Sequence, residues 1–185
     1  MTSSDLQQLY QQIILDHAKA RHGSSPTPLP PLPETAADGL RRTESHQVNT
    51  TCGDDVIVRV AVRGAGQNDD AANDDAANDD AANDGAVIDN VAWWGDGCSI
   101  SMASASVLSD TVRGVTVGEA RAMLDTFREM LRSRGQVEPD EEVLGDAAAF
   151  AGVSRYPARV KCAMLAWVAF EAALLASAPT AQLGG

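Results

Sequence analysis

The feature that most constrains how this chain can fold is the order of its hydrophobic patterns, with strand-like alternation early in the chain and helix-like spacing later. Residues 55–62 read DVIVRVAV, in which every second residue is valine, as expected for a strand with one buried face. A second β-like segment, AVIDNVAWW, follows at residues 86–94. Beyond residue 98 the apolar residues recur at helical spacing instead. Strands early and helices late predict an α+β fold, in which helices pack on one face of a small antiparallel three-stranded sheet.

Capping signals and apolar spacing set the boundaries of the predicted helices. The first helix covers residues 4–18 and can be capped by Ser4 or Asp5. Thr116 and Glu119 match a capping box that begins another helix. The second half is predicted to contain four helices: residues 99–113, a helix from the capping box to about residue 135, a short helix at 141–149, and a long helix from Pro157 to about residue 177.

The whole chain, residues 1–185, is predicted to form a single domain with two irregular segments. Residues 24–39 carry five prolines, which remove amide donors and indicate an extended linker. Residues 66–85 form a low-complexity acidic loop that contains three copies of NDDAA. Without the seven aspartates between positions 69 and 84, the formal net charge would be −5 rather than −12.

Charge and hydropathy argue against two classes of partner. The excess of acidic residues would repel a phosphate backbone, so we expect no nucleic-acid binding. No stretch approaches the roughly 18 apolar residues that indicate a membrane span. The N-terminal residues MTSSDLQQLY lack the basic and apolar regions of a secretory signal. We therefore expect a cytoplasmic protein that does not bind membranes.

Three cysteines, Cys52, Cys98 and Cys162, fall at the ends of predicted elements, where functional sites gather. Cys52 and Asp54 are two residues apart before a strand, so their side chains can project to the same side. Cys98 directly precedes a helix, whose exposed amides favour a thiolate. Zinc prefers four ligands, and three thiolates with one carboxylate meet that demand. The chain has no CxxC pair, so spacing alone leaves an alternative open, in which each cysteine is a small buried hydrophobic residue.

The charged neighbours of these cysteines suggest a further feature of such a site. Zinc with three thiolates and one carboxylate would carry a charge of about −2. Arg159 and Lys161 flank Cys162 and could offset it. The histidines His17, His22 and His46 lie outside the cysteine segments, and we expect surface or capping roles for them.

The segments around the cysteines resemble a known family. NTTCGDDVIVRV, WGDGCSISMASASVLSDTVRG and LGDAAAFAGVSRYPARVKCAMLAW are similar, in this order, to the signature blocks of SufU-type proteins within the IscU-like family. The N-terminal LYQQIILDHAKARH resembles the first helix of that family. The resemblance implies an IscU/SufU-like fold and a zinc ion held by Cys52, Asp54, Cys98 and Cys162.

The resemblance also implies partners and a reaction. The expected partner is a SufS-type, pyridoxal-phosphate-dependent cysteine desulfurase, followed by the downstream Suf cluster-assembly machinery. Docking of the desulfurase is expected to free Cys52, whose thiol then accepts persulfide sulfur. Arg159 is our candidate for steadying the freed thiolate or the persulfide, with a structural role in balancing the charge of the site as the alternative.

Two features distinguish the branches of this family. Scaffold-type IscU proteins carry histidine before the third cysteine, where this chain has Lys161, and a shorter segment than the 63 residues between Cys98 and Cys162. Both differences favour a zinc-dependent sulfurtransferase. The alternatives are a scaffold that carries a transient iron–sulfur cluster on the same ligands, and a structural zinc domain that acts as an adaptor.

Overall fold

The structure is a computed structural model that describes residues 2–33, 38–64 and 83–177. Residues 65–82, which make up most of the acidic loop predicted at 66–85, lie outside the described residues. In chain order the elements are α1 (Ser3–Ala20), β1 (Leu40–Asn49), β2 (Asp54–Arg63), β3 (Val87–Asp96), α2 (Ser99–Val112), α3 (Val117–Arg132), α4 (Glu141–Leu144), a 3₁₀ helix (Gly145–Arg155) and α5 (Pro157–Ala176).

The three strands form one antiparallel sheet in the order β1-β2-β3. The four alternating valines of β2 are buried, as their spacing predicts. On β3, Ile88, Val91 and Trp93 are also buried. α5 packs against β1 and β2, while α2 packs against β3 and α5. These contacts confirm the predicted α+β fold with a three-stranded antiparallel sheet.

Strand β1 is the element that hydrophobic periodicity does not locate. Its sequence, LRRTESHQVN, is mostly polar, yet it pairs with β2 along its whole length from Leu40↔Arg63 to Asn49↔Asp54. Thr43 on β1 also donates a hydrogen bond of 2.6 Å to the carbonyl oxygen of Ala173 on α5. Pairing with a buried neighbour therefore makes this segment a strand without an apolar face of its own.

The helices follow the predicted boundaries with two differences. The cap of α1 is Thr2 rather than Ser4 or Asp5, because the Thr2 side chain accepts the Asp5 amide while Asp5 bonds back to Thr2. The helix predicted at 141–149 is α-helical only to Leu144 and continues as the 3₁₀ helix. Gly145, with φ of 51°, interrupts the α-helical backbone at that point.

Small side chains fill much of the core, and a few aromatic rings occupy its centre. Phe127 on α3 stacks on Trp167 on α5 with ring centroids 4.5 Å apart. Phe150 meets Phe127 edge to face at 5.8 Å. Among the described residues, none of the helices is both long and apolar enough to span a membrane.

The segment after α1 runs beside β3 before the proline-rich stretch begins. The backbone of Trp93 bonds to Gly23 and Ser25, and Ser24 forms an isolated bridge with Trp93. Farther along, Pro30 accepts a hydrogen bond of 2.5 Å from Arg59 on β2. The described part of residues 24–39 contains no helix or longer strand.

Candidate metal centre

The sheet topology brings Cys52, Asp54, Cys98 and Cys162, here called the thiol cluster, to one end of the molecule. Asp54 opens β2, whose next residue pairs with Asp96 at the end of β3. Cys98 follows that strand end and caps α2. The turn between β1 and β2 supplies Cys52, and the second turn of α5 supplies Cys162.

A tight turn presents Cys52 to solvent. The amides of Cys52 and Gly53 both donate to the Asn49 carbonyl, at 3.2 and 2.8 Å. Gly53 has φ of 74°, a conformation that glycine adopts without strain. Within the described chain, the Cys52 sulfur makes one side-chain contact, with the sulfur of Cys162 at 3.5 Å.

Cys98 is held at the start of α2 by Asp54 and Ser101. Its amide donates to Asp54 Oδ1 at 2.8 Å, and its sulfur lies 3.7 Å from Asp54 Oδ2. The sulfur also accepts the Ser101 amide at 3.5 Å, as the N-cap of the helix. A Cβ at Gly97 would lie 2.7 Å from Asp54 Oδ1, so this approach requires glycine. The carboxylate therefore sits beside the cap of α2.

Cys162 is the buried thiol of the cluster, with 4% of its surface exposed. Asn49 Nδ2 lies 3.8 Å from its sulfur. Burial raises the pKa of the Cys162 thiol well above its usual range, and hydrogen bonds to Asp54, Cys52 and Cys98 raise that pKa further. Without a cation nearby, this thiol is therefore protonated at neutral pH.

The donor set of the thiol cluster suits a divalent cation. Candidate ligand atoms of Cys52, Asp54 and Cys162 lie within 4.8 Å of one another, and Cys98 touches the same carboxylate. Asp54 is only 1% exposed, and no ion pair neutralises it within the part of the chain described. Buried carboxylates are normally paired or bound to metal. Three thiols and one such carboxylate could together hold zinc.

The structure places the two flanking cations outside this group. Arg159 is exposed, and its guanidinium lies over the ring of Tyr156 at 4.8 Å from the ring centre. No hydrogen bond or ion pair joins it to the thiol cluster among the residues that are described. Lys161 is also exposed and lines a shallow groove with Arg128 and Arg132.

Two residues near the sulfurs were missed by reasoning from sequence. Asn49 contacts Cys162, and Ser101 contacts Cys98 with Oγ at 3.4 Å from the sulfur. Ser101 follows an N-capping position by three residues, a spacing that places its amide on the cap side chain. Asn49 precedes Cys52 by three residues, and asparagine favours such turns.

The expectation of surface or capping roles is wrong for His17. This residue is 7% exposed, with Nδ1 at 2.9 Å from Ser106 Oγ and Nε2 at 3.1 Å from Asp146. It is buried because α1 packs on α2 and on the 3₁₀ helix, which supply these two partners. His22 and His46 are exposed and pair with Asp110 and Asp55, respectively.

Comparisons with known proteins agree with this fold. Residues 80–163 match the family model described as the NifU-like N terminal domain. The chain is 32% identical, over 99% of its length and 93% of the relative's, to the iron–sulfur cluster assembly scaffold protein IscU of Streptococcus pyogenes serotype M1. It is 31% identical, over 91% of both chains, to the zinc-dependent sulfurtransferase SufU of Bacillus subtilis strain 168.

A solved structure extends the likeness to three dimensions. It is described as a candidate iron–sulfur cluster assembly scaffold protein for the SUF system of Fervidobacterium islandicum AW-1. It shares 29% identity and a TM-score of 0.60 with this chain, over 94% of this chain and 99% of that one. The fold and the thiol cluster define a small NifU-N-like domain. The chain belongs to the family of iron–sulfur cluster assembly proteins that includes IscU and SufU.

Proposed function

We propose that this protein is a zinc-dependent sulfurtransferase. It would accept persulfide sulfur from a SufS-type cysteine desulfurase and pass it to the downstream Suf machinery for iron–sulfur cluster assembly in the cytoplasm. The observation that carries the proposal is the unequal anchoring of the thiols. Cys162 is buried in a helix and Cys98 caps one, whereas Cys52 lies on an exposed turn with a single thiol contact.

The four members of the thiol cluster would hold the metal, with Cys52 as the ligand that leaves. Bound zinc would keep its thiol ligands deprotonated and protect them from oxidation. The 2.8 Å bond from the Cys98 amide would keep Asp54 aimed at the cluster. Because the Cys52 turn joins two strands and belongs to neither, it can shift without disturbing α2 or α5.

The chemistry assigned to Cys52 is a thiol exchange. Its thiolate attacks the outer sulfur of the persulfide on the desulfurase cysteine. The bond between the two sulfurs of that persulfide breaks, and the desulfurase cysteine leaves as a thiolate. Cys52 then carries the persulfide, and no outside oxidant or reductant is needed.

Arg159 is our candidate for steadying that persulfide. It precedes Cys162 by three residues on α5, a spacing that puts both side chains on one face of the helix. Its contact is the ring of Tyr156, which is itself 53% exposed. No carboxylate pairs with Arg159 in the described parts of the chain, so its guanidinium can turn toward an incoming anion.

The same donor set suits a second candidate function. The S. pyogenes relative, which is similar over nearly all of this chain, is named as an assembly scaffold. Thiolates and a carboxylate could hold iron as well as zinc. Metal content decides between the two functions.

The test combines metal content with desulfurase turnover under anaerobic, reducing conditions. We expect retained zinc and stimulation of a SufS-type desulfurase by the wild type, with the rate falling to that of the desulfurase alone for Cys52→Ala. Asp54→Ala should lose zinc, whereas its neighbour variant Asp55→Ala should keep it, since Asp55 pairs with His46 at the surface. A brown protein with iron and sulfide and little zinc would establish the scaffold instead. Zinc with no effect on turnover would favour a structural adaptor.

A further inference from the structure

A second group of metal-ligating side chains lies at the other end of α2. It consists of His17 on α1, His22 just after α1, and Asp110 on α2, here called the histidine cluster. One ligand atom from each residue lies within 4.8 Å of the other two. The rings of His17 and His22 meet edge to face, with centroids 5.3 Å apart. Two imidazoles and a carboxylate form a common donor set for divalent transition metals.

The surroundings of His17 fix which of its ring nitrogens carries the proton and which carries the lone pair. Ser106 Oγ accepts the His22 amide at 2.9 Å, so its own proton can point at His17 Nδ1, also 2.9 Å away. The His17 proton then resides on Nε2, which donates to Asp146 at 3.1 Å. The Nδ1 lone pair therefore lies on the side of α2 and accepts the Ser106 proton, and a metal ion would bind there by displacing this one hydrogen bond. Metal-binding histidines usually donate their other N–H to a carboxylate in this way.

The backbone at His22 is held in place as well. Its amide bonds to Ser106, and its carbonyl accepts the Trp93 indole N–H at 2.7 Å. The next residue, Gly23, has φ of 73° and no room for a Cβ against Ser109. The His22 ring is 49% exposed on this fixed backbone. An ion can therefore reach the cluster from solvent and meet a preset ligand position.

The negative charge around the histidine cluster also favours binding of a cation. Asp110 pairs with His22, and Asp146 pairs with His17. In the described parts of the chain, neither carboxylate forms an ion pair with lysine or arginine. With neutral imidazoles the two carboxylates leave a local charge of −2, which a divalent ion would cancel.

We propose that His17 Nδ1, a ring nitrogen of His22 and the Asp110 carboxylate form a second site for a divalent transition metal such as Zn²⁺. Asp110 lies twelve residues after Cys98 along α2, which at the rise of a helix is about 18 Å from the thiol cluster. The two clusters therefore cannot share an ion. The site joins the end of α1 to α2, and its existence does not depend on sulfur transfer by Cys52.

Calorimetric titration of Zn²⁺ tests this site in the untagged, full-length protein after the thiol cluster has been loaded with zinc. We expect a further equivalent to bind to the wild type. It should be lost in His22→Ala and in Asp110→Ala, whose replaced side chains are exposed. The matched control is His46→Ala, which removes an exposed histidine that also pairs with an aspartate, Asp55, at 2.7 Å. This control should bind like the wild type.

Cobalt offers an independent readout of the same site. The second equivalent of Co²⁺ should add visible absorption without the charge-transfer band that thiolate ligands produce. Asp146→Asn should weaken this equivalent by about tenfold or more, the usual effect of removing an outer carboxylate partner. The absence of a second binding event would overturn the proposal. So would binding that survives in His22→Ala and Asp110→Ala, or that is lost equally in His46→Ala.

Discussion

The two ends of α2 carry donor clusters of opposite character. At its start, the thiol cluster surrounds Asp54, a carboxylate that is 1% exposed and has no cation partner in the described chain. Toward its end, the carboxylates of Asp110 and Asp146 each pair with an imidazole of the histidine cluster, and each is at least 43% exposed. A buried carboxylate without a cation destabilises a fold even when it is hydrogen-bonded, whereas paired carboxylates at the surface do not. We therefore expect the first end to need its metal and the second end to tolerate its absence.

Removing zinc should give the largest effect and test this comparison directly. At a free zinc concentration a thousandfold above Kd, binding to the folded state alone contributes about 4 kcal/mol to the free energy of unfolding. We expect a chelator to lower the Tm of the wild type correspondingly. The measurement is thermal unfolding with and without chelator.

Two variants test whether the zinc-dependent change in Tm comes from the thiol cluster or from the histidine cluster. Cys162→Ala should lose most of the zinc-dependent difference, because it removes a buried ligand. His22→Ala should keep nearly all of it. Equal zinc-dependent stabilisation in wild type and Cys162→Ala would contradict the assignment of the main site.

Ser106→Ala tests the end of α2 that carries the histidine cluster. Ser106 is fully buried and bonds to both His17 and His22, so its loss leaves a buried imidazole nitrogen without a partner. We expect the free energy of unfolding to fall by about 1–3 kcal/mol, measured by urea denaturation. Zinc at the thiol cluster should be unchanged, and its loss in this variant would show that the two ends are coupled.

Ser101→Ala is the matched substitution at the thiol end. Its hydroxyl lies 3.4 Å from the Cys98 sulfur and bonds to the Cys98 carbonyl at 2.9 Å. Loss of this outer contact should weaken zinc binding by about tenfold, measured by competition with a zinc indicator. Affinity equal to that of the wild type would mean that the Cys98 sulfur is oriented by the helix cap and by Asp54 alone.

The strands and helices with strong periodicity could be predicted from the sequence, and β1 could not. The alternating valines of β2 indicate from the sequence alone which face of the strand is buried. Strand β1 is polar, and it becomes a strand through pairing with β2 and contact with α5. The same limit applies to His17. Its partners Ser106 and Asp146 lie 89 and 129 residues away in sequence, so nothing near position 17 indicates that it is buried.

The candidate site was predictable to a similar degree. Cys52, Asp54 and Cys98 could be placed at element ends from local patterns, and the structure brings them together with Cys162. The spacing of apolar residues in the sequence does not show how exposed each thiol is to solvent. The difference between buried Cys162 and exposed Cys52 depends on how α5 packs against β1 and β2. The position of Arg159 relative to an incoming persulfide stays a prediction.

The smallest expected effect concerns an anchor of α1 that needs no metal at all. The Tyr10 hydroxyl donates a hydrogen bond to Glu141 on α4. Burial, followed by this bond and the charge of Glu141, raises the pKa of Tyr10 to about 12. A phenol whose pKa is raised in the folded state stabilises the fold below its ordinary pKa of about 10, and that stabilisation disappears as the pH rises toward 12.

Tyr10→Phe should therefore lower the free energy of unfolding near neutral pH by less than about 1 kcal/mol, because solvent reaches the pair. The gap between variant and wild type should close as the pH rises above about 10. Urea denaturation across this range, with and without chelator, measures both dependences. Because the Tyr10 contact involves no metal ligand, the chelator should not alter the gap. A gap that appears only in the presence of zinc would contradict this expectation and would mean that the Tyr10 contact forms only when a metal is bound.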